Sequence, residues 1–177
     1  MKSFKRKSAG FSLIELLLVI GFIAAALVLA FVTYPKVQAT NRANTESQHI
    51  TVLSAGIKNL YSTAKSFHNL SNKVLIDSKI VPDDLTVTGT DINNIWAGKI
   101  IVAEDTTPLR YTITYDTVPS SECNKLSTSV ATNFLALSVN GQSIFNRTAS
   151  GGSADIDPSV VSKECNNATN TLVFTGN

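Results

Sequence analysis

The sequence is poor in the residues that metal and redox chemistry requires. Its 177 residues include only two cysteines and two histidines. Cys123 and Cys165 lie too far apart for a CxxC redox or zinc motif, and no metal-ligand spacing connects His49 with His68. We therefore expect no catalytic residue, no cofactor and no metal site. Both histidines are expected to be ordinary surface or interface residues.

Other polar groups that could carry chemistry have simpler interpretations. The acidic pairs Asp83-Asp84 and Glu104-Asp105 lack the spacing of an EF-hand and are typical of solvated turns. Ser120-Ser121 precedes a predicted helix, where a serine is expected to cap the first turn rather than to act as a nucleophile. The sequence thus predicts a protein that is not an enzyme.

Charged residues are missing from residues 16–35, an uncharged run long enough to cross a membrane once. Ahead of this run, the first ten residues contain a basic cluster formed by Lys2, Lys5, Arg6 and Lys7. Without these four residues the net charge of +2 becomes −2, and no basic patch interleaved with aromatic residues remains. We therefore expect no direct contact between the folded part and nucleic acid.

Three interpretations compete for residues 1–35. A secretory signal peptide has a basic region, but its apolar stretch is shorter and ends at a small-residue cleavage site, which this sequence lacks. A plain membrane anchor fits the length and places the basic cluster in the cytoplasm. Neither explains Glu15, because a carboxylate within an apolar helix costs about 2.5–3.5 kcal/mol on insertion scales and normally has a partner.

Cleavage between Gly10 and Phe11 would create a partner for Glu15. The new α-amine would lie four residues from Glu15 and would be mostly cationic at neutral pH. In a packed bundle of helices, Glu15 could instead neutralise the amine of a neighbouring subunit. The carboxylate would then direct assembly as well as acquire a partner.

The segment Gly10-Phe11-Ser12-Leu13-Ile14-Glu15 resembles the prepilin peptidase motif of type IV pilins and type II secretion pseudopilins. The resemblance implies that an inner-membrane peptidase cuts after Gly10 and N-methylates Phe11. It also implies that Glu15 is required for assembly.

The same resemblance divides the chain into three parts. Residues 1–10 form the leader peptide, and residues 11–35 form the helix that spans the membrane and later lies in the filament core. Residues 36–177 form an amphipathic helix and a globular pilin head.

Helical spacing of apolar residues continues beyond the uncharged run. It predicts one helix from about residue 12 to residue 68, kinked at Pro35. Its buried face would carry Ile50, Leu53, Ile57, Leu60, Ala64 and Phe67, and its polar face Asn44, Glu46, Gln48, Asn59 and Lys65.

Shorter elements are predicted in the rest of the chain. Helices are expected at residues 73–79, at residues 119–131 and after Asp157-Pro158; strands are expected at residues 99–103, 110–117, 135–139, 143–145 and 171–175. Asn140-Gly141 suits the tight turn of a hairpin, and residues 149–154 are expected to form a flexible loop. The fold class is α+β, with an antiparallel β-sheet packed on the amphipathic half of the long helix. The strand order does not follow from the sequence.

Cys123 and Cys165 both lie in the polar C-terminal half of the chain. If this half lies outside the cytoplasm, a single disulfide is the natural interpretation, with two free buried thiols as the alternative. The segments 111–115, 121–126 and 135–137 are similar to the C-terminal half of toxin-coregulated-type pilins, and Gly21 matches a glycine shared by type IVb subunits. The nearest likeness is to conjugative thin-pilus major pilins, although Phe11 replaces the usual methionine or leucine.

By resemblance, the chain is a prepilin, the major subunit of a type IVb pilus used for adhesion, aggregation or conjugative mating. The implied partners are other copies in a helical filament, prepilin peptidase, an assembly platform with its ATPase, and minor pilins. The precursor would cross the inner membrane once, with its leader cytoplasmic and its head periplasmic, before joining an extracellular pilus. A type II secretion pseudopilin, a minor pilin and an adhesin on a simple anchor remain alternatives.

Overall fold

The structure is a computed structural model that describes residues 12–107, 109–148 and 155–177. The chain divides into two compact units, Met1–Gln38 and Ala39–Asn177. The described part of the first unit is helical after Ser12, and the second unit contains helices and a β-sheet. The predicted leader, Phe11 and the predicted loop of residues 149–154 lie outside the described residues.

Helix α1 extends over Leu13–Leu60 and includes Pro35. The predicted helix continued to residue 68, and this end is wrong. After Leu60 the chain turns, so that Phe67 packs on Tyr61 with their ring centroids 5.3 Å apart. Phe67 is therefore buried by a turn that folds back rather than by a further helical turn. Leu60 and Ala64, both expected on the buried face, are exposed.

The remaining elements alternate short helices with strands. The helices are α2 (Asn72–Asp77), α3 (Ser120–Val130) and α4 (Pro158–Glu164), with a 3-10 turn at Ala131–Asn133. The strands are β1 (Thr86–Thr88), β2 (Asp91–Asn93), β3 (Lys99–Glu104), β4 (Tyr111–Pro119), β5 (Ala136–Val139), β6 (Gln142–Asn146) and β7 (Thr169–Gly176).

The described strands form one antiparallel sheet of order β1-β2-β3-β4-β7-β5-β6. The C-terminal strand β7 is inserted between β4 and β5, so the last part of the chain joins two halves of the sheet. The β5–β6 hairpin turns at Asn140 and Gly141, both with positive φ. This residue pair suits such a turn because neither strongly resists the left-handed conformation.

The core of the second unit lies between the C-terminal half of α1 and one face of the sheet. Ile50, Leu53 and Ile57 are fully buried, as their spacing predicts. They belong to one cluster with Ile113 and Phe174 of the sheet. The predicted α+β fold, with its long N-terminal helix and antiparallel sheet, is confirmed.

Two short strands were not predicted. In β1 all three residues are exposed, and in β2 only Ile92 is buried, so both strands are too short to show the alternation by which strands are recognised.

The two helix caps that the sequence predicted had different outcomes. Asp157 caps α4 by accepting a hydrogen bond from the Ser159 amide at 2.8 Å, whereas α3 begins without a side-chain cap, after Pro119.

Candidate functional site

The N-terminal part of α1 exposes large apolar side chains. Leu13, Phe22 and Phe31 are 76%, 74% and 78% exposed. The uncharged run of residues 16–35 would rise about 30 Å as a helix, close to the thickness of a bilayer's hydrocarbon core. Among the described residues, α1 is the one helix long and apolar enough to cross a membrane. Such a surface is suited to lipid or to the apolar helices of other subunits.

The Thr33 hydroxyl, a polar group within this apolar segment, is satisfied within the helix. The Thr33 hydroxyl donates to the Leu29 carbonyl at 2.9 Å, which removes the cost of exposing a hydroxyl to hydrocarbon. Helix α1 includes Pro35, which has no amide proton to donate to the carbonyl one turn earlier, and the kink predicted there stays a prediction.

Glu15 lies in the first turn of α1 and is exposed. Its Oε2 accepts a hydrogen bond from the Ser12 amide at 3.3 Å. A carboxylate is favourable at this end of a helix because unpaired amides and the helix dipole make it positive. Gly10 and Phe11, the predicted cleavage pair, lie outside the described residues. The pairing of Glu15 with an α-amine therefore stays a prediction.

The second unit contains the disulfide of the predicted fold. Cys123 and Cys165 are bonded, with Cα atoms 5.7 Å apart, and both residues are fully buried. The bond connects α3 to the residue that follows α4. On the loop-entropy model, closing a loop of this length stabilises the fold by roughly 4 kcal/mol.

A polar cluster of buried Glu46, buried His49 and exposed Asp84 joins α1 to the segment before β1 and to the β2–β3 connection. His49 Nδ1 lies 3.1 Å from Glu46 Oε2, and His49 Nε2 lies 2.8 Å from Asp84 Oδ2. The other Glu46 oxygen accepts a hydrogen bond from the Ile95 amide at 2.7 Å. Glu46 is fully buried and His49 is 7% exposed.

The sequence predicted this cluster incorrectly. It placed Glu46 on the polar face of the helix and His49 among ordinary surface or interface residues. The spacing of the apolar face offered the missing signal, because stepping back four residues from Ile50 reaches Glu46 and three more reach Ala43, which is also buried. His68 lies beyond α1 and is exposed, with its Nδ1 3.4 Å from Glu104 Oε2.

Tyr111 and Tyr115 of β4 are both buried, but their hydroxyl groups differ in their hydrogen-bond partners. The Tyr111 hydroxyl is 2.6 Å from that of Ser54, and burial raises the pKa of Tyr111. Burial, with the negative charge of Glu46 nearby, raises the pKa of Tyr115 well above its ordinary value. The Tyr115 hydroxyl lies beside Glu46 without a partner of ordinary hydrogen-bond geometry among the described residues.

Within the described ranges, no group of three or more His, Cys, Asp or Glu side chains is arranged to hold a metal ion. A depression of about 580 Å³ contains Glu46, His49 and Asp84 in its lining. The cluster of Glu46, His49 and Asp84 can take part in hydrogen bonding and proton transfer. The exposed apolar surface of α1 can be buried against lipid or against other helices.

Comparison with known proteins agrees with this architecture. Residues 40–177 match the family model described as PilS N terminal. Two relatives, from Escherichia coli O111:H- and from Escherichia coli O127:H6, are each named as the major structural subunit of the bundle-forming pilus. Each is 25% identical over 178 residues, covering 94% of this chain and 92% of the relative.

A solved structure shares the fold. TcpA, a type IV pilin from Vibrio cholerae El Tor, superposes with a TM-score of 0.60 at 15% identity, covering 77% of this chain and 99% of TcpA. The family model matches most of the sequence, and the solved structure has the same fold. The chain therefore belongs to the PilS N-terminal family and has the fold of a type IV pilin.

Proposed function

We propose that the chain is the precursor of the major structural subunit of a type IVb pilus, which loses residues 1–10 and polymerises through the apolar part of α1. The observation that carries this proposal is an uncharged helical surface with its large side chains exposed, attached to a disulfide-linked head. The two relatives named as major subunits of the bundle-forming pilus support the same role.

The exposed apolar surface requires two successive environments. Burying one Leu, Ile or Phe side chain is worth about 1.5–3 kcal/mol, so this segment is not stable in water. The inner membrane covers it in the precursor, and the helices of neighbouring subunits cover it in the filament. The basic leader remains in the cytoplasm and the head folds in the periplasm, where conditions favour the disulfide. The assembled subunit is extracellular.

Glu15 makes assembly selective. Cleavage between Gly10 and Phe11 supplies an α-amine, methylated on Phe11, that pairs with Glu15 of an adjacent copy in the apolar core. Each charge alone is costly in hydrocarbon, and their pairing fixes the axial register of the subunits. A tip subunit with no copy above it does not need this carboxylate, so Glu15 favours a subunit of the filament body over a minor pilin.

The proposed partners follow from this role. They are further copies of the chain, prepilin peptidase, the assembly platform and its ATPase, and minor pilins. The filament itself would serve adhesion, aggregation or conjugative mating, and its subunits would not contact nucleic acid directly. We expect no catalysis by the chain.

Replacement of Glu15 tests the proposal. Glu15→Gln keeps the shape of the side chain but removes its charge, so the subunit should remain in the membrane with a protease-resistant head and should form no filaments. Asp77→Asn removes an exposed charge from the head, where Asp77 pairs with Lys73 at 2.6 Å, and should assemble normally. Normal filaments from Glu15→Gln would contradict the register role.

A type II secretion pseudopilin, the alternative, would have the same N-terminal motif. Abundance separates the two, because a major pilin is the principal protein of sheared surface filaments. A pseudopilin or a minor pilin would be scarce there.

A further inference from the structure

The cluster around His49 contains one more acceptor than a neutral ring can satisfy. Its two nitrogens lie 3.1 Å and 2.8 Å from carboxylate oxygens of Glu46 and Asp84. A neutral imidazole has one N–H donor and one lone pair, whereas an ionised carboxylate only accepts. A neutral ring can therefore donate to one carboxylate while its lone pair faces the other.

Both carboxylates are placed as hydrogen-bond acceptors. The hydrogen bond from His49 holds the pKa of Asp84 below its usual range. Glu46 accepts a short bond from the Ile95 amide at 2.7 Å, a length typical of a charged acceptor. With both carboxylates acting as acceptors, this geometry needs a proton on each nitrogen of His49.

We propose that His49 is a proton-operated clamp, which as an imidazolium donates to Glu46 and Asp84 together and so fastens the segment before β1 to helix α1. Loss of the second proton releases one carboxylate. That carboxylate is Asp84, because its side chain is 64% exposed and can turn into water. Glu46 is fully buried and stays tied to the Ile95 amide.

Two titratable side chains contact the ring directly, Glu46 on α1 and Asp84 before β1. Asp83 is the exposed neighbour of Asp84 in the chain, and Tyr115 on β4 lies beside Glu46. Histidine is the side-chain type whose charge ordinarily changes between about pH 5 and about pH 8, so a titration across this range tests the ring.

Release of Asp84 has a defined structural consequence. Asp84, Leu85 and Thr86 line one side of the depression that also contains His49. Without the clamp, this segment and strand β1, which lies at the edge of the sheet, lose their polar attachment to α1. The inference goes beyond filament formation, because the clamp operates within one head, assembled or not.

The test uses the full-length chain in detergent micelles, with ¹⁵N-labelled histidine, titrated between about pH 5 and about pH 9. At the acid end His49 should show two protonated ring nitrogens, and over the titration it should change to a ring with one. Hydrogen exchange of residues 81–88, corrected for the intrinsic pH dependence, should accelerate over the same range by roughly tenfold, the cost of one charge-assisted hydrogen bond.

Two variants separate the clamp from general effects of charge. Asp84→Asn supplies an amide donor that a neutral ring can accept, so exchange of residues 81–88 should become insensitive to pH. Asp83→Asn removes the same charge one residue away and should keep the wild-type response. A one-proton ring at the acid end, or the same pH response in Asp84→Asn as in wild type, would overturn the proposal.

Discussion

The hydroxyl groups of Ser54 on α1 and Tyr111 on β4 lie 2.6 Å apart, and both residues are buried. This hydrogen bond joins the amphipathic half of the long helix to the centre of the sheet. Neither hydroxyl can find water if its partner is removed. The pair therefore tests how firmly the helix is attached to the head.

Ser54→Ala should lower the free energy of unfolding by about 1–3 kcal/mol, because it leaves the buried Tyr111 hydroxyl without a partner. Tyr111→Phe should cost a similar amount. The double variant should lose less than the sum of the two, because no orphaned hydroxyl remains. Urea unfolding of the full-length chain in detergent measures all three. Strict additivity would show that the two hydroxyls do not stabilise each other.

Gly56 on α1 should not tolerate a side chain. A Cβ atom at this position would lie 2.2 Å from Cγ2 of Ile80. Gly56→Ala should therefore destabilise the head by about 1–3 kcal/mol through overpacking, despite the better helix propensity of alanine. An Ile80→Ala background removes Cγ2 and leaves the Cβ of residue 80 at 3.3 Å, so the same substitution should become much less destabilising. A destabilisation unchanged by that background would contradict the account.

Thr117 has a φ of 61°, an unfavourable conformation for a β-branched residue, at an irregularity in the β4–β7 pairing. Thr117→Gly should raise the free energy of unfolding by about 1 kcal/mol, because glycine adopts this conformation without strain. The matched control is Thr114→Gly, in the regular part of β4, which should be destabilising. Urea unfolding of both variants decides the matter, and a destabilised Thr117→Gly would count against strain at this residue.

The raised pKa values of Tyr111 and Tyr115 predict a loss of stability in alkali. A group whose pKa is raised by folding holds its proton more tightly in the folded state. Its contribution is complete below the unfolded value of about 10 and is lost as the pH rises through the folded value.

Melting temperature above about pH 10 should therefore fall less steeply in Tyr115→Phe than in wild type. At neutral pH this variant should cost much less than Tyr111→Phe, because the Tyr115 hydroxyl has no well-formed hydrogen bond among the described residues to lose. An unchanged alkaline slope in Tyr115→Phe would exclude this residue as a source of the pH dependence.

Elements with strong local signals were predictable from the sequence. The spacing of Ile50, Leu53 and Ile57 identified the buried face of α1, and Asn140-Gly141 identified the hairpin turn. The end of α1 was not predictable because Phe67 keeps the helical spacing while its burial comes from packing on Tyr61 and Tyr111. The insertion of β7 between β4 and β5 depends on long-range pairing that leaves no local pattern.

The candidate site also has one part that the sequence could predict and one part that it could not. Gly10, Phe11 and Glu15 form a contiguous motif, so the sequence alone could propose their roles. Glu46 and His49 looked like solvent-facing residues because a charged side chain is rarely fully buried. Their burial depends on Asp84 and the Ile95 amide, which are distant in sequence and are brought to α1 by the folded sheet.

Intact-mass analysis of the principal protein in sheared surface filaments tests the central claim most directly. The account predicts that this protein is the present chain without residues 1–10, beginning at Phe11 and carrying one added methyl group. Filaments in which this chain is absent, or in which it retains its leader, would contradict the proposal that it is a processed major pilin.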